Sequence, residues 1–111
     1  MPVVKAETAR PTKVREGLAR TIAYTENLMM AVIDFSDGPW KEPEPLQHHV
    51  HEQVTYVAEG EIIFFCEGEK EQHLRPGDIF VVPSDRKHGI QLLTPAARLI
   101  DTFSPIRKDF L

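Results

Sequence analysis

Three of the five histidines in this 111-residue chain, His48, His49 and His51, fall within four positions, and Gln53 follows two residues later. On an extended strand alternate side chains share a face, so imidazoles two residues apart can converge on one ion. A hairpin that returns the chain can bring Gln53 alongside. Far downstream, His88 follows the turn Pro83-Ser84-Asp85-Arg86-Lys87. Two or three imidazoles with an amide oxygen suit one divalent transition metal held inside a barrel, with nickel, zinc, manganese and iron all accepting such donors. A histidine cluster alone would equally suit a solvated turn. The second histidine-bearing segment, at the start of a β segment after a glycine turn, is what favours the metal.

The elements that must position these groups are short. Apolar segments rich in β-branched and aromatic residues run over Thr21–Thr25, Met29–Phe35, Val54–Val57, Ile62–Cys66, Ile79–Val82, Ile90–Leu93 and Leu99–Phe103. Nine prolines and six glycines punctuate them, as in Ser36-Asp37-Gly38-Pro39, Glu59-Gly60 and Arg75-Pro76-Gly77-Asp78. Seven or more short strands with regular turns predict an all-β sandwich or barrel. Pro43 and Pro45 exclude a central strand over Lys41–Gln47. That stretch delivers the chain, extended and stiff, to the histidines. Residues 1–17 carry mixed charge and no pattern, and read as an N-terminal arm that orders against a partner subunit. Residues 18–111 read as one barrel domain with a short C-terminal tail.

Composition narrows the partners. Hydrophobic residues make up 41% and charged residues 27% of the chain, an ordinary globular balance. The net charge is −4 and the basic residues are scattered, which argues against nucleic acid as a partner. The longest apolar run, Leu28–Ile33, is far short of the ~20 residues of a membrane helix. The charged first twenty residues contain no signal-peptide core, so the expected compartment is the cytoplasm. The single cysteine, Cys66, excludes an internal disulfide and a cysteine-based zinc site, and its apolar surroundings predict a buried, inert thiol.

Over roughly Leu28 to Phe103 the chain resembles a cupin, a single-domain double-stranded β-helix or jelly-roll barrel. The first cupin motif runs histidine, any residue, histidine, three or four residues, an acid or amide, six residues, glycine. Counted back from Gly60, the acid or amide is Gln53. The second motif is matched by Gly77, Pro83 and His88, with Asp85 standing for a glycine and Leu92 for an asparagine. Aspartate tolerates a left-handed turn better than most residues. The resemblance implies a metal ligand set of His49, Gln53 and His88. The fourth place goes to Gln47, which stands where the first histidine is expected, or to His48 or His51 if the turn is rearranged. Otherwise His51 is a turn residue that faces solvent or caps the cavity mouth. Gln53 in place of a carboxylate leaves the ion's charge uncompensated, which favours Lewis acidity over oxygen activation.

The tail from Asp101 to Leu111, with His51-Glu52-Gln53, is similar to the small pectin-degradation cupins, which convert 4,5-unsaturated uronates to linear keto sugars. That similarity implies catalytic roles for Asp101 and Arg107 and a substrate contact for Phe103. Asp101 and Phe103 share a strand face, so both can line the cavity. A carboxyl there can move a proton, and Arg107 can grip a substrate carboxylate bidentately. Without the resemblance, Asp101 suits an outer face, Phe103 a core and Arg107 an ion pair. The expected protein is therefore a metal-binding enzyme for a small anionic sugar acid. The alternatives are a metal-dependent dioxygenase or a non-catalytic small-molecule-binding cupin. Short barrels of this kind have edges to cover, and a homodimer is expected.

Overall fold

A computed structural model describes residues 3–111. Nine strands are present among them: β1 (Thr12–Arg15), β2 (Leu18–Tyr24), β3 (Met29–Phe35), β4 (Glu52–Glu59), β5 (Ile62–Cys66), β6 (Gln72–Leu74), β7 (Ile79–Val82), β8 (His88–Leu92) and β9 (Ala97–Ser104). A 3-10 turn, Lys108–Phe110, follows them. The strands form two antiparallel sheets, one of six strands in the order β1-β2-β3-β9-β4-β7 and one of three in the order β6-β5-β8. The fold is thus the all-β cupin barrel expected from the strand pattern and motifs. No helix among the described residues is long and apolar enough to cross a membrane.

Alternation along each strand decides which side chains enter the barrel. Across the large sheet the inward residues fall in register rows. One row is Met29, Phe103, Gln53 and Val82; the next is Ala31, Asp101, Thr55 and Phe80; the third is Arg20, Ile33, Leu99 and Val57. The small sheet answers with Ile62 opposite Leu92, Phe64 opposite Ile90 and Cys66 opposite His88. At one end the rows are apolar except for Arg20 on β2, and Val57, Ile62 and Leu92 are completely buried there. Towards the other end they turn polar. Dry packing at one end holds open a polar cavity at the other.

Two turns show how the backbone enforces this. Gly60, in the turn by which the chain passes from β4 in the large sheet to β5 in the small one, has φ +79° and lies so close to the Ala96 carbonyl that a Cβ would clash. Only glycine fits, since a side chain would be both strained and blocked. Asp85 adopts φ +60°, the left-handed conformation for which the second motif reserves a glycine. Cys66 is buried, as its surroundings predict.

Part of the expected N-terminal arm is ordered on this chain itself. Thr12–Arg15 pairs with β2 as the edge of the large sheet, all four residues being exposed. The first two residues of that arm lie outside the described residues.

Candidate functional site

The polar end of the barrel encloses a cavity of about 330 Å³ whose lining includes Gln47, His49, Gln53, His88, Asp101 and Arg107. These side chains come from both sheets and two loops. Gln53 projects from β4, Asp101 from β9 and His88 from the start of β8. The proline-stiffened segment before β4 runs alongside β8, Trp40 N donating to Leu92 O and Glu44 N to Ile90 O. It is pinned there by paired backbone hydrogen bonds between Gln47 and His88, both 2.9 Å. That bridge sets Gln47 and His49 beside His88, 40 residues downstream.

Two of the donors are oriented by hydrogen bonds. His88 is buried (7% exposed), and its Nδ1 lies 3.0 Å from the Arg86 carbonyl oxygen. The nitrogen must donate that bond, so the neutral ring carries its lone pair on Nε2. Gln53 Nε2 donates to Thr55 Oγ1 at 2.9 Å, and Thr55 Oγ1 donates to Asp101 Oδ1 at 2.6 Å. The Gln53 amide therefore has its nitrogen engaged by Thr55, and its side chain also hydrogen-bonds His51, so its oxygen would serve a cation in exchange for that imidazole. Burial, with Arg107, His51 and His88 nearby, lowers the pKa of His49 to about 4. It is neutral at ordinary pH, the form a metal requires.

The donor chemistry fits a divalent metal. Two imidazoles bound to one ion at ~2.1 Å have ring centres no more than roughly 6.5 Å apart, and those of His49 and His88 are 5.8 Å apart. Among the described residues, no three histidine, cysteine or carboxylate groups gather around one point. The set facing the cavity is two imidazoles and two amides.

The remaining histidines lie elsewhere. His48 is exposed, its Nδ1 3.8 Å from Asp85. His51 is buried (7% exposed), is absent from the lining of that cavity, and lines a second pocket beneath the tail with His49 and Arg107. Its ring stacks on His49 with centres 4.7 Å apart and packs against Phe103 at 4.8 Å. Phe103 also differs from the sequence expectation. It shares the inward face of β9 with Asp101, but it is only 3% exposed, lies in the core with Met29 and Ala31, and is absent from the cavity lining.

Asp101 sits on the inner wall, and burial raises its pKa from 3.8 to about 6, against the opposing pull of the Thr55 hydrogen bond and Arg107. Arg107 reaches the cavity from the tail, its guanidinium bound to the Asp109 carboxylate at 2.7 Å and lying over the Phe110 ring at 4.1 Å. Sequence reasoning passed over Arg15, Arg20, Glu44 and Phe110, which also line the cavity. For Arg20 the signal was present. It is a charged residue at an inward position between Leu18 and Ile22.

Comparison with known proteins agrees with this geometry. Residues 33–103 match the Cupin domain family. The chain is 38% identical over 97 residues to the pectin degradation protein KdgF of Dickeya dadantii (strain 3937), covering 86% of each chain. Among solved structures, KdgF from Halomonas sp. superposes with a TM-score of 0.85 at 35% identity, covering 96% of this chain and 97% of that one. An RmlC-like cupin from Shewanella frigidimarina NCIMB 400 gives 0.88 at 35% identity, covering 100% and 96%. A barrel with donors from both motifs facing one cavity, and a likeness extending through nearly the whole chain, have one reading: the chain belongs to the cupin domain family, together with KdgF.

Proposed function

We propose that this protein is a metal-dependent enzyme that opens the ring of a 4,5-unsaturated uronate and delivers the linear keto acid. The observation that carries the reading is that one cavity is lined by metal-type donors, a carboxyl and a guanidinium: His49, His88, Gln53 and Gln47, with Asp101 and Arg107. The likeness to a pectin degradation protein supports a sugar acid from pectin as substrate. Of the metal positions expected from the sequence, His49, Gln53 and His88 keep their role and Gln47 supplies the fourth donor. His51 backs His49.

Bound by these four side chains, a divalent metal would supply Lewis-acid polarisation of substrate oxygens. The protein's own groups do the rest. Arg107 receives the substrate carboxylate. The Asp101 carboxylate takes the proton of the C1 hydroxyl as the bond between C1 and the ring oxygen breaks, giving an aldehyde and an enolate. The protonated Asp101 then returns the proton to C4 as the enolate becomes a ketone. No atom is gained or lost, and a single carboxyl serves both transfers. A pKa near 6 equips it to accept and then release a proton at neutral pH.

The test follows the substrate's ultraviolet absorbance with purified, metal-assayed protein. A rate well above the spontaneous one, abolished by chelator and restored by metal, is the expected outcome. No acceleration by the metal-loaded protein would remove the reading.

A homodimer belongs to the same proposal. The outer face of the large sheet aligns Met30, Thr102, Val54 and Val81 across four strands, with Tyr56 opposite Ile79 beside them. The five large apolar side chains of this patch are exposed, Val81 to 59%. The patch holds no charge, so a second copy can cover it face to face without like-charge repulsion. Val81→Asp is expected to halve the mass measured by light scattering at micromolar concentration. A wild-type monomer, or an unchanged dimer in the variant, would reject this face as the interface.

A further inference from the structure

Arg20 projects inward from β2 and lines the cavity. Its guanidinium carbon lies over the Phe110 ring, 3.6 Å from the centroid, and that of Arg107 lies over the same ring at 4.1 Å. The two cations are provided for differently. Arg107 is held by both oxygens of Asp109 at 2.7 and 3.3 Å. Arg15, also on the lining, is held by Asp37 at 2.8 Å. Arg20 Nε is buried without a hydrogen-bond partner, the one such side-chain atom among the described residues.

Burying part of a cation without a counter-charge costs stability, and an unsatisfied buried donor calls for an explanation. A ring face offsets some of that cost but leaves the N–H groups unmet. The missing partner is an acceptor with a negative charge, entering from the cavity that Arg20 lines. We infer that Arg20, alongside Arg107, binds the carboxylate of the sugar acid. This inference rests on the proposed sugar-acid chemistry for the substrate class, though not on turnover. Phe110 spaces the two guanidinium groups. Arg20, with no carboxylate of its own, has the greater unmet capacity for a planar two-oxygen anion. On this view it sets the preference for acids over neutral sugars.

The test uses D-galacturonate, which has the carboxylate but no double bond, against neutral D-galactose, both by calorimetry on the metal-loaded protein. Wild type is expected to prefer the acid. Arg20→Gln should weaken galacturonate binding about 10- to 100-fold, the range lost with a charge-assisted hydrogen bond, and leave galactose binding unchanged. Arg20→Lys should fall between them. With the unsaturated uronate, KM should rise by a similar factor while kcat stays within a few-fold. A wild type without preference for the acid overturns the inference. So does an Arg20→Gln variant that keeps the preference, or one that only lowers the melting temperature as a mere support for Phe110 would. Acid preference that depends on Arg20 without any turnover would uphold the carboxylate site while rejecting the proposed reaction.

Discussion

Asp101→Asn is expected to lower turnover of the unsaturated uronate by about 10²–10⁴-fold, the usual contribution of a positioned proton-transfer group, with metal content unchanged. Asparagine keeps the shape and can still accept the Thr55 hydroxyl, so the loss reads proton transfer and not collapse of the site. The pH profile gives the sign. In the proposed mechanism Asp101 begins the cycle as a base, and burial places its half-protonation near pH 6. kcat/KM should therefore fall as pH drops through about 6 and level off above it. Stability should move in the opposite direction. A carboxyl whose folded pKa lies above its unfolded value of 3.8 favours folding most below pH 4, and that contribution is lost as pH rises through 6. At pH 8 the Asn variant, free of this cost, should be more stable, on the order of 3 kcal/mol. A slow variant that melts higher in alkaline buffer is the combined signature, read by activity assay and melting curves. Full activity in Asp101→Asn would remove the residue from the mechanism.

His88→Ala should abolish stoichiometric metal and activity together, with affinity falling at least about a hundredfold, beyond the 10–100-fold typical of residues that only support a ligand. Metal content by elemental analysis after dialysis is the readout. The informative comparison is with the other histidines. His48 is exposed and turned towards Asp85, and His48→Ala should hold metal as wild type does. His51 stacks on His49 outside the cavity lining, and His51→Ala should weaken metal binding less than Gln47→Ala does. The reverse order would move the fourth donor from Gln47 to His51. Added metal should also raise the wild-type melting temperature, since an ion bound only by the folded chain stabilises it by about 2.7 kcal/mol at a hundred times Kd.

Three strands were legible to the residue, whereas β2, β4, β8 and β9 extend one to three residues beyond or short of their apolar segments because their polar ends are recruited by pairing. Met29–Phe35, Ile62–Cys66 and Ile79–Val82 have the limits that their apolar patterns indicate. β1 was not legible, because all four of its residues are exposed and no alternation marks a face. β6 has three residues, too few for a period. In the site, His49, Gln53 and His88 follow from the spacing of the cupin motifs, and Asp101 from the resemblance of the tail. Phe103 has the parity of Asp101 but lies one row further along, where the barrel is closed by Met29 and the tail. Parity determines which face a residue occupies. Depth along the barrel depends on register with strands distant in sequence. The place of His51 was equally hidden, since a ring two residues beyond His49 can share its ion or cover its face, and here it covers the face.

The cavity draws its groups from different parts of the chain. Every metal-type donor and the proton-carrying carboxyl precede the end of β9 at Ser104, whereas Arg107 and the ring of Phe110 come after it. Barrel and ion site are complete, as architecture, without the residues that would choose the substrate. On the reading proposed here, substrate choice is written in a short appendix to the fold and one arginine on β2. Such a division lets one scaffold keep its ion while its clientele is rewritten by exchanging a few terminal residues.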